Sequence, residues 1–179
     1  RHDQRPCDGC AATAWHDQPV PFVPDTREQV VDPISAYQVV SMLEGVVQRG
    51  TGVRVAAVGK PLAGKTGTTN ESFDTWFVGF APDLAVGVFV GFDQPKTLGA
   101  KETGSSAAAP IFRDFMAEAL ADRPAIPFRV PPGVRLVRVN RETGVPAGPG
   151  DSKVILEAFK PGTVPARGSA QTVYDGSGY

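Results

Sequence analysis

Two runs of aromatic and β-branched residues, Thr75-Trp76-Phe77-Val78-Gly79-Phe80 and Leu84-Ala85-Val86-Gly87-Val88-Phe89-Val90-Gly91-Phe92, are separated only by Ala81-Pro82-Asp83. Such runs favour the pleated strand. A short Pro-Asp connection between them reads as a β-hairpin. Parallel neighbours need a crossover of about a dozen residues or more, so this pair must be antiparallel. The middle of the chain is therefore expected to fold around an antiparallel sheet.

Immediately upstream stands Gly59-Lys60-Pro61-Leu62-Ala63-Gly64-Lys65-Thr66-Gly67-Thr68-Thr69, which satisfies two motifs at once. Gly59, four residues and Gly64-Lys65-Thr66 fit the phosphate loop of nucleotide-binding proteins. Lys65-Thr66-Gly67 fits the K-T-G element of serine acyl enzymes. A phosphate loop must open into a helix whose first amides hold the phosphates. Here Gly67-Thr68-Thr69-Asn70 follows, poor helix material, and a strand-like run begins about ten residues after Lys65, too soon for a helical crossover. The antiparallel hairpin thus argues against the phosphate loop. On a strand, by contrast, Thr66 and Thr68 alternate with Gly67 and turn both hydroxyls to one side. Lys65 adds a cation that attracts a carboxylate and biases nearby pKa values. Two hydroxyls and an ammonium on one face make a carboxylate grip. Gly67 lets an extended substrate approach the backbone and pair with the strand. The bland alternative is a solvated strand end, since K-T-G alone is a common triplet.

The flanking sequence fills in an α+β plan. Asp32 as N-cap and Pro33 at the first helical position start a helix. Ile34, Tyr37, Val40, Leu43 and Val47 form its apolar face, and Gly50 and Gly52 end it. Val53 to Val58 is expected to be a short strand. Residues 93 to 106 read as a loop. A second helix is expected from near Ser106–Pro110 to about Ala121, with Phe112, Phe115, Met116, Ala119 and Leu120 facing a core. After Pro124 the texture changes. Val134 to Val139 alternates apolar and basic residues, Arg141 to Gly144 makes a turn, and Lys153 to Phe159 is a further strand candidate. The expected layout is a main part over 1–123, loop-rich over 1–31, a small β-rich appendage over 124–160 and a disordered tail over 161–179.

Composition closes off other classes. A net charge of −1 across 179 residues provides no electrostatic footprint for nucleic acid and no polybasic membrane patch. The longest apolar runs fall well short of the roughly 18 residues of a membrane span. No signal peptide is visible, and Arg1 in place of an initiator Met points to a processed or excised chain. Cys7 and Cys10, with His2 and His16 nearby, are compatible with a local disulfide, a zinc site or two free thiols. No βαβ pattern surrounds the pair, which argues against a thioredoxin-like role.

Around the K-T-G element the chain resembles the C-terminal half of the transpeptidase domain of class A penicillin-binding proteins. The matching pieces stand in order: Ala36 to Leu43, Val46-Val47-Gln48-Arg49-Gly50-Thr51-Gly52, Ala63 to Thr69, Thr75 to Phe80 and Val90-Gly91-Phe92-Asp93. Thr103-Gly104, Ala109-Pro110-Ile111-Phe112 and Phe128-Arg129-Val130-Pro131-Pro132-Gly133 follow. The likeness covers roughly residues 30 to 160. It implies an antiparallel sheet flanked by helices, similar to serine β-lactamases but incomplete. The parent would be a bifunctional peptidoglycan synthase whose other domain polymerises glycan strands. This domain would cross-link stem peptides ending in D-Ala-D-Ala through a serine acyl-enzyme, and β-lactam antibiotics would acylate the same serine. Lys65, Thr66, Gly67 and Thr68 would line the cleft, Thr68 and Thr66 would bind the terminal carboxylate, and Thr103-Gly104 would lie near it. No metal or cofactor is implied. The expected location is the periplasmic face of the bacterial inner membrane, with the anchor outside this chain.

The sequence departs from that pattern at one point. The family uses a nucleophile in S-x-x-K and a second element S-x-N. None of Ser35, Ser41, Ser72, Ser105, Ser106, Ser152, Ser169 or Ser177 has Lys three residues on or Asn two residues on. Both elements are expected upstream of Arg1, in the remainder of the parent protein, and the isolated chain is expected to be inactive, with core surface of the half domain exposed. Two alternatives remain: a non-catalytic wall-binding module, and a relative of serine β-lactamases or D,D-carboxypeptidases. The segment at 103–112 and the long stretch after Pro124 argue against the second.

Overall fold

The structure, a computed structural model, describes residues 28–166. The expectations for Cys7, Cys10, His2 and His16, most of the loop-rich stretch over 1–31 and most of the tail over 161–179 lie outside the described residues. The chain divides into two compact units, Arg1–Asp32 and Pro33–Tyr179, and every regular element described belongs to the second.

Helix α1 spans Pro33–Arg49, as the Asp-Pro start and the glycine stop predict. Its buried positions are Gly45 and Val47, near its C-terminal end. The other residues of the predicted apolar face, Ile34, Tyr37, Val40 and Leu43, are half-buried. Strand β1 spans Ala63–Thr68, β2 Thr75–Ala81 and β3 Leu84–Val90. They form an antiparallel sheet in the order β1-β2-β3. The pairing runs from Ala63 opposite Phe80 to Thr68 opposite Thr75, and from Thr75 opposite Val90 to Ala81 opposite Leu84. Only Pro82 and Asp83 join β2 to β3, so the predicted hairpin is present. Strand β1, which carries Lys65-Thr66-Gly67-Thr68, lies at one edge of this sheet.

Alternation along β2 sorts the sheet into two faces. Thr75, Phe77, Gly79 and Ala81 are buried, while Trp76 and Val78 are exposed. Helix α2, Ala109–Ala119, covers the buried face. The Phe112 ring meets that of Phe77 with centroids 4.7 Å apart, and both are fully buried together with Met116. An aromatic pair at this separation adds about 1 kcal/mol to what its buried area contributes. Val47, Val55, Leu62 and Leu120 complete the core.

Three expectations are corrected. Val53–Val58 is a 3-10 helix, not a strand. Its β-branched composition favours a strand, but it is confined between Gly52 and Gly59. It ends at Gly59 in the left-handed region, φ +70°, whose amide bonds the Ala56 carbonyl. One helical turn buries Val55 completely in the core, and that tertiary contact overrides propensity. Second, helical structure begins earlier than Ser106: a π-helical turn over Gly104–Ala108 leads into α2. Thr103 caps it, its Oγ1 accepting from the Ser106 amide while Ser106 Oγ accepts from the Thr103 amide, a reciprocal capping box. Third, Phe115 is half exposed. It lies about 100° round the helix from Met116, off the stripe of Phe112, Met116 and Leu120 that meets the sheet.

Past α2, strands β4 (Arg135–Asn140) and β5 (Val154–Phe159) form a second, two-stranded antiparallel sheet. It packs on α1: Gln38 Nε2 donates to the Ala158 carbonyl at 2.9 Å, and Arg49 pairs with Glu157 at 3.1 Å. Among the described residues, no helix is long and apolar enough to cross a membrane.

Candidate functional site: the edge strand β1

Strand β1 begins at the core, with Ala63 and Gly64 buried, and emerges at Lys65. Thr66 lies opposite Phe77 and Thr68 opposite Thr75, so both hydroxyls occupy the face that α2 covers, as the alternation predicts. Lys65 lies opposite Val78 and so belongs to the other face. This corrects the picture of all three groups on one face. The Lys65 side chain instead bends round the open edge, where Nζ donates to Thr66 Oγ1 at 3.2 Å and to the Thr66 carbonyl at 2.9 Å. The ammonium meets the Thr66 hydroxyl because, among the described residues, β1 has no neighbouring strand on that side. Among the described residues Lys65 makes no ion pair, so its charge stays uncompensated and exposed.

The second hydroxyl is fixed by the segment that precedes α2. The amide of Gly104 donates to Thr68 Oγ1 at 3.0 Å. Gly104 is buried against the strands. A Cβ there would lie 2.6 Å from the Gly67 carbonyl oxygen and closer still to that of Trp76, so only glycine permits this approach. The structure thus brings Gly104 onto β1 beside Thr68. Thr103, one residue away, has its hydroxyl engaged in the cap of the π-helical turn. Gly67 presents no side chain, and a Cβ there would crowd Trp76 Cβ at 3.2 Å.

A hydroxyl has one proton to donate and two lone pairs to accept. Thr68 Oγ1 accepts from Gly104, and Thr66 Oγ1 accepts from Lys65. Thr68 can still offer its own proton outward, and so can Thr66 when its proton is not given to Thr51 Oγ1, 2.8 Å away. Two oriented O–H donors beside an unpaired ammonium suit a carboxylate, which accepts only. No residue of this cluster is a nucleophile paired with a base.

Sequence reasoning missed one participant. Thr51 Oγ1 lies 2.8 Å from Thr66 Oγ1, carried there by the turn between α1 and the 3-10 helix. The signals were its place between Gly50 and Gly52 and its membership in one of the pieces that match the family, neither of which pointed to Thr66. The phosphate-loop reading fails on the backbone, because Lys65 and Thr66 lie within an extended strand and not at a helix start.

The chain is similar to known proteins. A family model described as the penicillin binding protein transpeptidase domain matches residues 17–117. Penicillin-binding protein 1A of Rickettsia bellii is 45% identical over 164 residues, which are 89% of this chain and 20% of that protein. Penicillin-binding protein 1A of Pseudomonas aeruginosa is 45% identical over 140 residues, 78% of this chain and 17% of that protein. A crystal structure of penicillin-binding protein 1A from Haemophilus influenzae matches with a TM-score of 0.65 at 32% identity, covering 74% of this chain and 21% of its own. The chain therefore spans about a fifth of the length of the curated relatives it matches.

Proposed function

This chain belongs to the penicillin binding protein transpeptidase family, and we propose that it supplies the substrate-holding half of a serine-type peptidoglycan D-Ala-D-Ala transpeptidase. The observation that carries the reading is the cluster at the open edge of β1, where Lys65, Thr66 and Thr68 present an uncompensated ammonium and two hydroxyls whose lone pairs already accept from Lys65 and Gly104. That cluster would take the C-terminal carboxylate of a stem peptide, or the carboxylate of a β-lactam. Each hydrogen bond to the charged group is worth on the order of 1.5–3 kcal/mol.

In the proposed reaction a serine from outside residues 1–179 attacks the penultimate D-Ala carbonyl. The terminal D-Ala leaves with a proton on its amine, and an ester to the serine remains. An amine of a neighbouring stem peptide then takes the acyl group, and the serine regains its proton. The strand holds and aligns the substrate, and the chain by itself lacks the nucleophile. Trp76, Val78 and Phe89, each close to half exposed on one sheet face, would pack against the part of the parent that bears the serine. The parent would work at the periplasmic face of the inner membrane and also carry the glycan-polymerising domain.

The test is on the native gene product. Cell membranes are labelled with a fluorescent penicillin, captured with an antibody against this chain and resolved on a denaturing gel. A labelled band much larger than this chain is expected, with no adduct on residues 1–179 expressed alone. A captured band that never takes label would refute the acyl-enzyme reading and leave a wall-binding module that keeps the carboxylate grip without the chemistry.

A further inference from the structure

Thr66 Oγ1 stands in a short chain of donors. Lys65 Nζ approaches it at 3.2 Å and Thr51 Oγ1 at 2.8 Å. The ammonium can only donate. The proton shared by the two hydroxyls can run either way. If Thr66 donates to Thr51, its single proton is consumed and it has nothing left for a ligand. If Thr51 donates to Thr66, both lone pairs of Thr66 Oγ1 are occupied and its proton is forced outward. We propose that Thr51 is a positioning residue that turns the Thr66 hydroxyl into an obligate donor toward an incoming carboxylate. This rests on the carboxylate-holding role proposed for β1.

The turn that carries Thr51 is held rigidly enough for the task. The amides of Gly50 and Gly52 both donate to the Val46 carbonyl at the end of α1, at 3.0 and 3.1 Å. The Val55 amide donates to the Gly52 carbonyl at 2.9 Å. Gly52 is buried, and a Cβ there would press on the Phe77 ring and the Val46 carbonyl, each at 3.3 Å. The triplet is thus clamped between α1, the 3-10 helix and the core ring of Phe77. Thr51 is its one exposed side chain with a hydroxyl, and it is aimed at β1. A carboxylate arriving at the edge would favour the outward orientation of Thr66, and Thr51 supplies the compensating bond.

The experiment uses the full gene product that contains this chain, as wild type, Thr51→Val and Thr51→Ser. The rate of acylation is followed against concentration for benzylpenicillin and for its methyl ester, which lacks the anionic carboxylate. For benzylpenicillin, Thr51→Val is expected to weaken reversible binding about tenfold, the scale of one hydrogen bond to a charged group, with little change in the limiting rate. Thr51→Ser should retain wild-type binding, and the ester should not distinguish the three proteins. Equal losses for the acid and the ester, or a Thr51→Ser protein as weak as Thr51→Val, would make Thr51 a packing residue and overturn the proposal. So would unchanged binding in Thr51→Val while wild type is acylated normally. A wild-type protein that is not acylated at all would instead refute the acyl-enzyme reading, and the role of Thr51 in holding the β-lactam carboxylate with it.

Discussion

Gly104 is where the segment leading into α2 touches the strand of the candidate site, and Gly104→Ala tests that contact. The added Cβ would lie 2.6 Å from the Gly67 carbonyl oxygen, closer to that of Trp76, and 3.0 Å from Thr66 Cβ. Gly67 and Trp76 are cross-strand partners, so the ladder fixes both carbonyls and neither swings aside cheaply. The π-helical turn would have to retreat by roughly 0.8 Å to restore ordinary contact with Gly67. The Gly104 amide retreats with it, and its 3.0 Å bond to Thr68 Oγ1 stretches out of range. Overpacking costs about 1–3 kcal/mol and the lost bond about 1 more, so the chain should be about 2–4 kcal/mol less stable. Gly87→Ala is the control. Its Cβ would find only Val78 Cγ2 at 3.9 Å, and alanine in a strand interior should gain about 0.5 kcal/mol. Urea unfolding followed by circular dichroism reads both variants. A Gly104→Ala chain within about 1 kcal/mol of wild type would mean that the turn gives way freely, and that the Thr68 hydroxyl is not held as described.

Two further outcomes follow from burial. Thr75 is fully buried and its Oγ1 has no hydrogen-bond partner among the described residues, so the near-isosteric Thr75→Val should raise stability by about 1 kcal/mol, and a comparable loss in urea unfolding would show that the hydroxyl is satisfied. Burial holds the Glu44 carboxyl above its ordinary range, so the stability it lends is full below the usual carboxylate pKa and is lost as pH rises through the raised value. Glu44→Gln should therefore gain on wild type between pH 4 and pH 7, by about 0.5 kcal/mol at most after solvent screening, and a pH-independent difference in Tm would refute this.

Elements whose signal is local were legible in the sequence. Asp32-Pro33 and the spacing of Ile34 to Val47 marked α1, and the Pro82-Asp83 connection marked the hairpin. The elements missed are those decided by distant contacts. Val53 to Val58 reads as a strand until Val55 is seen buried in the core formed by Phe112 and Phe77. The helical start at Gly104 had a readable signal in Thr103 and Ser106, three apart, which the neighbouring glycine and serine disguised as loop. For the site, Lys65 to Thr68 stood out through their residue types. Thr51 could not, because nothing local says that a residue fifteen positions upstream will meet Thr66.

The two motifs superimposed on residues 59–69 are separated by backbone conformation, since they share their letters. A phosphate loop binds with main-chain amides that converge at a helix start, and its Lys and hydroxyl assist. On β1 the backbone is extended and paired with β2 over its whole length, so its amides cannot converge on one anion. What remains to bind is the side chains at the edge, one ammonium and two hydroxyls, together with the backbone groups along the open side of β1 that pair with no strand among the described residues. Two of the protein groups that meet those hydroxyls, Gly104 and Thr51, come from other segments. The grip is thus specified by the fold as a whole. A K-T-G triplet on a strand without Gly104 or Thr51 beside it would keep the charge of Lys65 but lose control over where the hydroxyl protons point.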